Sequence, residues 1–119
     1  MTRSNKLIQL VKDTFEEGEE ILDYVEGALQ TTINNRNTLR TGILVATNKK
    51  VRFCGKRFFF IYDDIIEYSD IYGIDLTEEK LGYTIFINGK KKSYSMKFVI
   101  NSKIHDFVNI LKQNKGKRK

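Results

Sequence analysis

Any chemistry in this chain must be assembled from few residues. It holds one histidine, His105, and one cysteine, Cys54. A Cys/His metal centre needs three or four such ligands, so a single chain cannot build one. A Ser-His-Asp constellation would have to use His105, and its neighbour Asp106 cannot face it, because adjacent residues on a helix point in different directions. His105 therefore reads as a surface or partly packed histidine. Cys54 follows Phe53 in a short apolar run and reads as a small packing residue rather than a nucleophile. The carboxylates Asp63, Asp64, Glu67, Asp70, Asp75, Glu78 and Glu79 lack the spacing of a calcium loop and its central glycine. They read as a solvated, charged turn and strand face. Gly55-Lys56-Arg57 has no second glycine at the offset of a phosphate loop, and no helix follows it. No set supplies nucleophile, base and electrostatic stabiliser together. The expectation is a non-enzyme without cofactor, metal or small-molecule substrate.

Two basic clusters remain as candidate ligand-binding residues. Lys49, Lys50, Arg52, Lys56 and Arg57 surround adjacent turns. Lys90, Lys91 and Lys92 sit just past Asn88-Gly89, with Lys97 on the outer face of the next strand. Together they are expected to form a cationic rim. An anionic membrane would supply about 1 kcal/mol per Lys or Arg near it, so such binding would be weak and salt-sensitive. The competing reading is that these lysines solubilise the surface and guard sheet edges.

The elements that must carry these residues fit one domain of 119 residues. With 40% apolar and 30% charged residues the composition is that of a globular protein. No run reaches the roughly 20 apolar residues of a spanning helix, and the N-terminus lacks a secretory h-region. A lone cysteine suits a reducing compartment, and the expected location is cytoplasmic, at most peripheral at the inner face of a membrane. The net charge of +6 is unevenly placed. Residues 1–30 carry three bases and seven acids, residues 63–79 seven acids and no base, and residues 80–119 eleven bases and the single acid Asp106. Lys115-Gly116-Lys117-Arg118-Lys119 supplies four of those bases and reads as a frayed, solvated tail.

Hydrophobic periodicity predicts a helix first, with Ser4 as N-cap, Leu7, Ile8, Val11 and Phe15 on one face, and Gly18 as its stop. A strand follows from Ile21 to about Leu29, and Gln30 to Asn37 has the side-chain chemistry of a loop whose ends can extend the flanking strands. Residues 42–65 are the densest stretch. Leu39 to Ala46, Val51 to Cys54 and Phe58 to Tyr62 are strand-like, separated by turns at Thr47-Asn48-Lys49 and Gly55-Lys56-Arg57. Asp63-Asp64 turns into a run from Ile65 to Tyr72. Leu81 to Ile87 and Lys92 to Val99 flank Asn88-Gly89, whose tolerance of positive φ predicts a two-residue type I′ hairpin turn. In the last strand Tyr94, Met96 and Phe98 alternate with Ser93, Ser95 and Lys97, so the first set should be buried. A closing helix from about Lys103 to Gln113, capped by Asn101 or Ser102, carries the stripe Ile104, Phe107, Val108 and Leu111. The whole predicts a mainly β, α+β fold: a roll or barrel of about seven antiparallel strands, plugged by the C-terminal helix, with an extra N-terminal helix.

This order of parts resembles the bacterial pleckstrin-homology-like domains, specifically the YokE-like type, from about Gly18 to Leu111. The carriers are Gly18-Glu19-Glu20-Ile21, Gly42-Ile43-Leu44-Val45-Ala46-Thr47-Asn48 leading into Lys49-Lys50-Val51, Phe60-Ile61-Tyr62-Asp63-Asp64-Ile65, and the Gly-Tyr-Thr-Ile-Phe-Ile strand at 82–87. Lys50 stands where arginine is more usual in the family. Thr47 and Asn48 suit a turn because both bond their own backbone. The resemblance implies a PH-like roll without enzymatic activity, and it implies no particular lipid. It divides the chain into an appended helix at 1–17, the PH-like domain at 18–113 and a basic tail at 114–119.

The function expected from these readings is a non-catalytic interaction module that binds a protein partner or assembles with itself through an open strand edge. The alternative is peripheral binding to anionic lipid headgroups through the basic turns. Phosphoinositide-binding PH domains place their bases around the first inter-strand loop, where this chain has only Arg36 and Arg40. Nucleic-acid binding is the third reading and less expected, because there is little aromatic interleaving at the basic turns beyond Phe58 and Tyr94.

Overall fold

The computed structural model of the chain describes residues 3–33, 36–57 and 60–117, with the backbone alone at 3, 4, 32, 33, 36, 37, 57 and 60. Helix α1 (Arg3–Lys12) precedes strands β1 (Ile21–Ile33), β2 (Arg36–Thr47), β3 (Lys50–Arg57) and β4 (Phe60–Glu67). A single 3-10 turn (Tyr68–Asp70) leads into β5 (Ile71–Glu79), β6 (Gly82–Gly89) and β7 (Ser93–Val99), and α2 (Ile104–Asn114) closes the chain. All pairings are antiparallel, in the order β4-β3-β2-β1-β7-β6-β5. Strand β1 pairs with β2 along its length and with β7 through Ala28, Leu29 and Gln30, so it belongs to both halves of the roll. The two edges, β4 and β5, are joined in sequence by the Tyr68–Asp70 turn.

The apolar pattern explains where the core lies. Inward residues of the strands, among them Leu29, Leu44, Phe53, Ile85, Ile87 and Met96, meet Ile104, Phe107, Val108 and Leu111 of α2 in one cluster. The helical stripe is thus the plug that its spacing predicts. Its C-terminal end is tied down where the Gly116 N–H donates to the Tyr68 carbonyl at 2.6 Å. A second cluster lies outside the sheet, where Leu7 and Val11 of α1 cover Ile43, Val45 and Cys54. Strand β2 is therefore covered on both faces, which is why Ile43-Leu44-Val45-Ala46 is an unbroken apolar run rather than an alternating one.

Several turns fall elsewhere than the side chains suggest. Helix α1 ends at Lys12, before Phe15, and Gly18 (φ 77°) bends the following loop. Gly55-Lys56-Arg57 is not a turn: β3 runs through it, pairing Gly55 with Tyr62 and Arg57 with Phe60. Phe58 and Phe59, at the start of the next predicted strand, and Asn34 and Asn35 of the predicted loop lie outside the described residues. Gly55 is a site of close approach, since a Cβ there would lie 2.5 Å from the Thr41 carbonyl oxygen. Its neighbour Gly42 is tighter still, 2.2 Å from the Cys54 oxygen. Asp63-Asp64 also lies inside a strand, opposite Cys54 and Phe53, because Arg40 bridges to the Asp64 carboxylate across the interior face.

The β6–β7 hairpin departs most. Asn88 pairs with Ser93, so the loop is Gly89 to Lys92, and Gly89 is not among the positive-φ residues. Gly89 is instead paired with Ile71, and the Lys90 N–H donates to Asp70 O at 2.8 Å, which holds the turn to the start of β5. Further along, Tyr83 pairs with Val99 but Ile85 with Met96, an extra residue in β7. Phe98 takes φ 59° at this bulge, so Val99 turns inward and Phe98 is 46% exposed. The alternation that would bury Phe98 fails there.

The closest backbone approach makes a test. Gly42→Ala is expected to lower unfolding stability by about 3 kcal/mol, because β2 and β3 must move apart at a doubly covered strand. Denaturant unfolding measures this, and an unchanged midpoint would mean that the strands have room.

Candidate functional site

The expected cationic rim divides in the folded chain. Arg52 points to the outer face of β3, where its Nε and Nη2 donate to the two oxygens of Glu19 at 2.8 and 2.7 Å. Both side chains are buried, at 3% and 0% exposure, so this is an internal ion pair. The guanidinium also donates to the Thr14 hydroxyl at 3.2 Å and lies 5.4 Å from the Phe15 ring centroid. Phe15 thus serves as the lid of an arginine rather than as part of a helix face. Lys50 is buried as well, with its ammonium between Glu16 and Glu67. Lys49 donates to the Glu17 carbonyl at 2.6 Å. Arg52 and Lys50 therefore do not belong to an exposed rim. Glu16 and Glu19 of the 13–20 loop and Glu67 of β4 have neutralised them, and burial of an arginine or lysine is tolerated on that condition.

The same place gathers the short motifs. The Thr47 hydroxyl accepts the Lys49 and Lys50 N–H groups at 3.1 and 3.0 Å and sits 2.7 Å from Glu19 Oε2. Asn48 accepts the Glu20 N–H at 2.7 Å and donates to Gly18 O at 2.9 Å. The Tyr68 hydroxyl donates to Thr47 O at 2.6 Å. Gly18-Glu19-Glu20 and Thr47-Asn48 are thus one lock between the loop before β1 and the β2–β3 turn. Sequence reasoning took Thr47-Asn48 as a local turn device and missed that its partner lies 28 residues away. The pairing of Glu19 with Arg52 left no periodic signal that could have found it.

The remaining cations lie elsewhere. Lys56 is exposed on β3, and the Arg57 side chain lies outside the described residues. Lys90, Lys91 and Lys92 are exposed at the β6–β7 turn, with the Lys92 ammonium 5.4 Å from the Tyr94 centroid. This turn forms one wall of a groove of about 580 Å³ that Ile65, Ile66, Glu67, Ser69 and Asp70 also line. The groove thus opens at the end of β4 and carries both signs of charge. Inside the roll, Arg40 lies over the rings of Tyr62 (5.1 Å) and Phe53 (5.6 Å), and its Nε is buried with no hydrogen-bond partner among the described residues.

The two sheet edges differ. Strand β5 is interrupted by a bulge between Ile71 and Gly73 and exposes Asp75, Glu78 and Glu79, devices that blunt an edge. Strand β4 pairs with β3 without a register break from Glu67 to Phe60. Its outward side chains are Ile61 (54% exposed), Asp63 and Ile65 (48% exposed). A straight edge strand with exposed isoleucines is a template for another strand.

Among the described residues no group of three or more His, Cys, Asp or Glu could hold a metal ion. Among the described residues no helix is long and apolar enough to cross a membrane. His105 is exposed, its ring edge-on to Tyr83 at 6.0 Å.

The buried pair predicts the acid behaviour. Burial pushes the Glu19 carboxyl up, but hydrogen bonds from Arg52, the Glu16 N–H and Thr47, with the arginine's charge, outweigh it and hold the pKa at about 2, against 4.5 unperturbed. A depressed carboxylate contributes stability that is complete above its unfolded pKa and lost as pH falls through the folded value. Wild-type stability should therefore decline between pH 4.5 and 2, and Glu19→Gln should flatten that decline. Arg52→Ala should cost about 3–5 kcal/mol at neutral pH, because it strands a buried carboxylate. Urea unfolding across this pH range checks both, and an Arg52→Ala protein of wild-type stability would refute the lock.

Among curated proteins no match is found. Of the solved structures, the chain is similar to the C-terminal domain of an unknown protein from Leishmania infantum, at 16% identity and a TM-score of 0.58, over 92% of this chain and 91% of that one. At that identity the likeness speaks for the fold alone. A family model described as a bacterial PH domain matches residues 15–113, from the aromatic lid of Arg52 to the last turn of α2. PH domains are in general non-catalytic interaction modules. The match spans most of the chain, and the seven-stranded roll with its helical plug agrees with it: the chain belongs to the bacterial PH domain family.

Proposed function

We propose that this chain is a non-catalytic module that accepts an extended segment of a protein partner along the β4 edge. The observation that carries the reading is the contrast between its two edges. Strand β5 is bulged and acidic, whereas β4 is straight and presents Ile61 and Ile65 to solvent. An added strand would bond the outer side of the β4 backbone, and apolar residues at every second position would pack against those isoleucines. The groove beside Ile65, Ile66 and Tyr94 would receive the end of the segment.

A second copy is the weaker occupant. Antiparallel β4–β4 pairing that sets Ile61 against Ile65 would centre on Asp63 and place two carboxylates opposite each other, a destabilising arrangement. In this reading residues 18–113 are the interaction unit, of the YokE-like type by its Thr47-Asn48 and Gly18-Glu19 motifs, with α1 as a brace and the residues from 114 on as a tail.

Panning a displayed linear peptide library on the wild type and on Ile61→Lys/Ile65→Lys tests the proposal. Peptides with alternating apolar residues should be retained by the wild type and bound at least about tenfold more weakly by the variant, a loss of about 1.4 kcal/mol. The reading is overturned if both proteins retain the same peptides. It is also overturned if light scattering shows a wild-type dimer that the substitutions dissociate.

A further inference from the structure

We propose that α1 is a hinged cover: it opens from the outer face of the sheet while the roll stays folded, and so gates access to the apolar strip beneath it and to the chain's one cysteine. The two apolar clusters that hold the molecule share no residue. The main one lies inside the roll and is closed by α2, whereas the other sets Leu7 and Val11 of α1 over Ile43, Val45 and Cys54. Release of α1 therefore uncovers the outer side of β2 and β3 and leaves the inner side packed. The family match begins at Phe15, so α1 is an addition to the unit that the family describes.

The helix is lightly held. Among its described side chains only Leu7 and Val11 are buried, Ile8 and Leu10 are half-buried, and Asn5, Lys6, Gln9 and Lys12 are exposed. Leu7 also forms one wall of an open cleft of about 290 Å³, with Ala28, Thr41, Phe98 and Ile100 among the others, so this flank of the helix borders solvent. At 10 residues α1 is shorter than the roughly 12–15 that an isolated helix needs to persist in water, and its order depends on its seat. Elements with few buried apolar contacts open at a lower free energy than the whole domain.

The lock around Arg52 supplies the fixed point. Arg52 donates to the Thr14 hydroxyl and lies against Phe15, while Glu16 and Glu19 are tied to Lys50 and Arg52. The chain is thus anchored from Thr14 on, and the hinge falls at Lys12-Asp13. Two bonds from Thr14 to the Val11 carbonyl, at 3.0 Å from its N–H and 2.7 Å from its hydroxyl, are exchanged for water on opening. In the closed form Cys54 is 2% exposed, and burial, with the charge of Asp63, pushes its thiol pKa up, which makes it a poor nucleophile. In the open form the thiol faces water with Ile43 and Val45. The reactivity of Cys54 accordingly follows the position of α1.

Labelling of the folded chain with an aromatic disulfide, at concentrations to which the rate is proportional, provides the test. Cys54 of the wild type should react more slowly than in the urea-unfolded chain, yet at least about tenfold faster than global unfolding in water allows. The rate should change little with urea below the transition, because release of one short helix exposes little surface. Leu7→Ala/Val11→Ala should raise it at least about tenfold, since both truncations weaken the seat. Val108→Ala, which thins the main core under α2, should lower the unfolding midpoint and leave labelling unchanged. The proposal is overturned if labelling follows the urea dependence of global unfolding, or if Cys54 of the wild type reacts as fast as in the unfolded chain. It is equally overturned if Leu7→Ala/Val11→Ala leaves the rate unchanged or Val108→Ala raises it as much.

Discussion

The structure turns on the Glu19–Arg52 ion pair. Two opposite charges buried at 0% and 3% exposure are tolerable only when their hydrogen-bonding capacity is filled, and Glu19 accepts from Arg52, Thr47 and the Glu16 backbone at once. Satisfying that carboxylate places the 13–20 loop against β3. The loop's position in turn sets where β1 begins and where α1 can lie on the outer face of β2 and β3. The pair contributes mainly by excluding other arrangements. Removing one partner strands a charge, whereas replacing both by apolar residues could leave stability nearly unchanged.

This geometry separates scaffold from surface. The charges that look most like a binding cluster in one dimension, Lys50 and Arg52, are internal, and their acids, Glu16, Glu19 and Glu67, come from other elements of the chain. Ile61 and Ile65 of β4 and Phe98 at the β7 bulge, by contrast, are exposed. Among the described residues strand β4 pairs with β3 alone and exposes isoleucines, and Phe98 is turned outward against its own backbone preference.

Much of the fold was legible in the residues. The stripe Ile104, Phe107, Val108 and Leu111 predicted the plug helix, and all four are buried. The alternating and continuous apolar runs predicted seven antiparallel strands. Turns were less legible, because glycine and aspartate serve two purposes. Gly55 allows two backbones to approach and Asp64 answers Arg40 inside the roll, yet in sequence both look like turn residues. The candidate site was less legible still. A row of lysines and arginines states charge but not direction, and alternate residues of one strand go to opposite faces.

The sequence by itself determined the antiparallel β architecture, the amphipathic closing helix and the family, because these depend on periodicities of two and 3.6 residues and on short motifs. Only the tertiary structure decided which charges are buried, which edge is left open and which way Phe98 points. Those outcomes depend on register and on contacts between residues distant in sequence: Glu19 meets Arg52 across 33 positions, and one extra residue in β7 reverses a side chain. A local pattern carries no information about such a contact until the strands have paired.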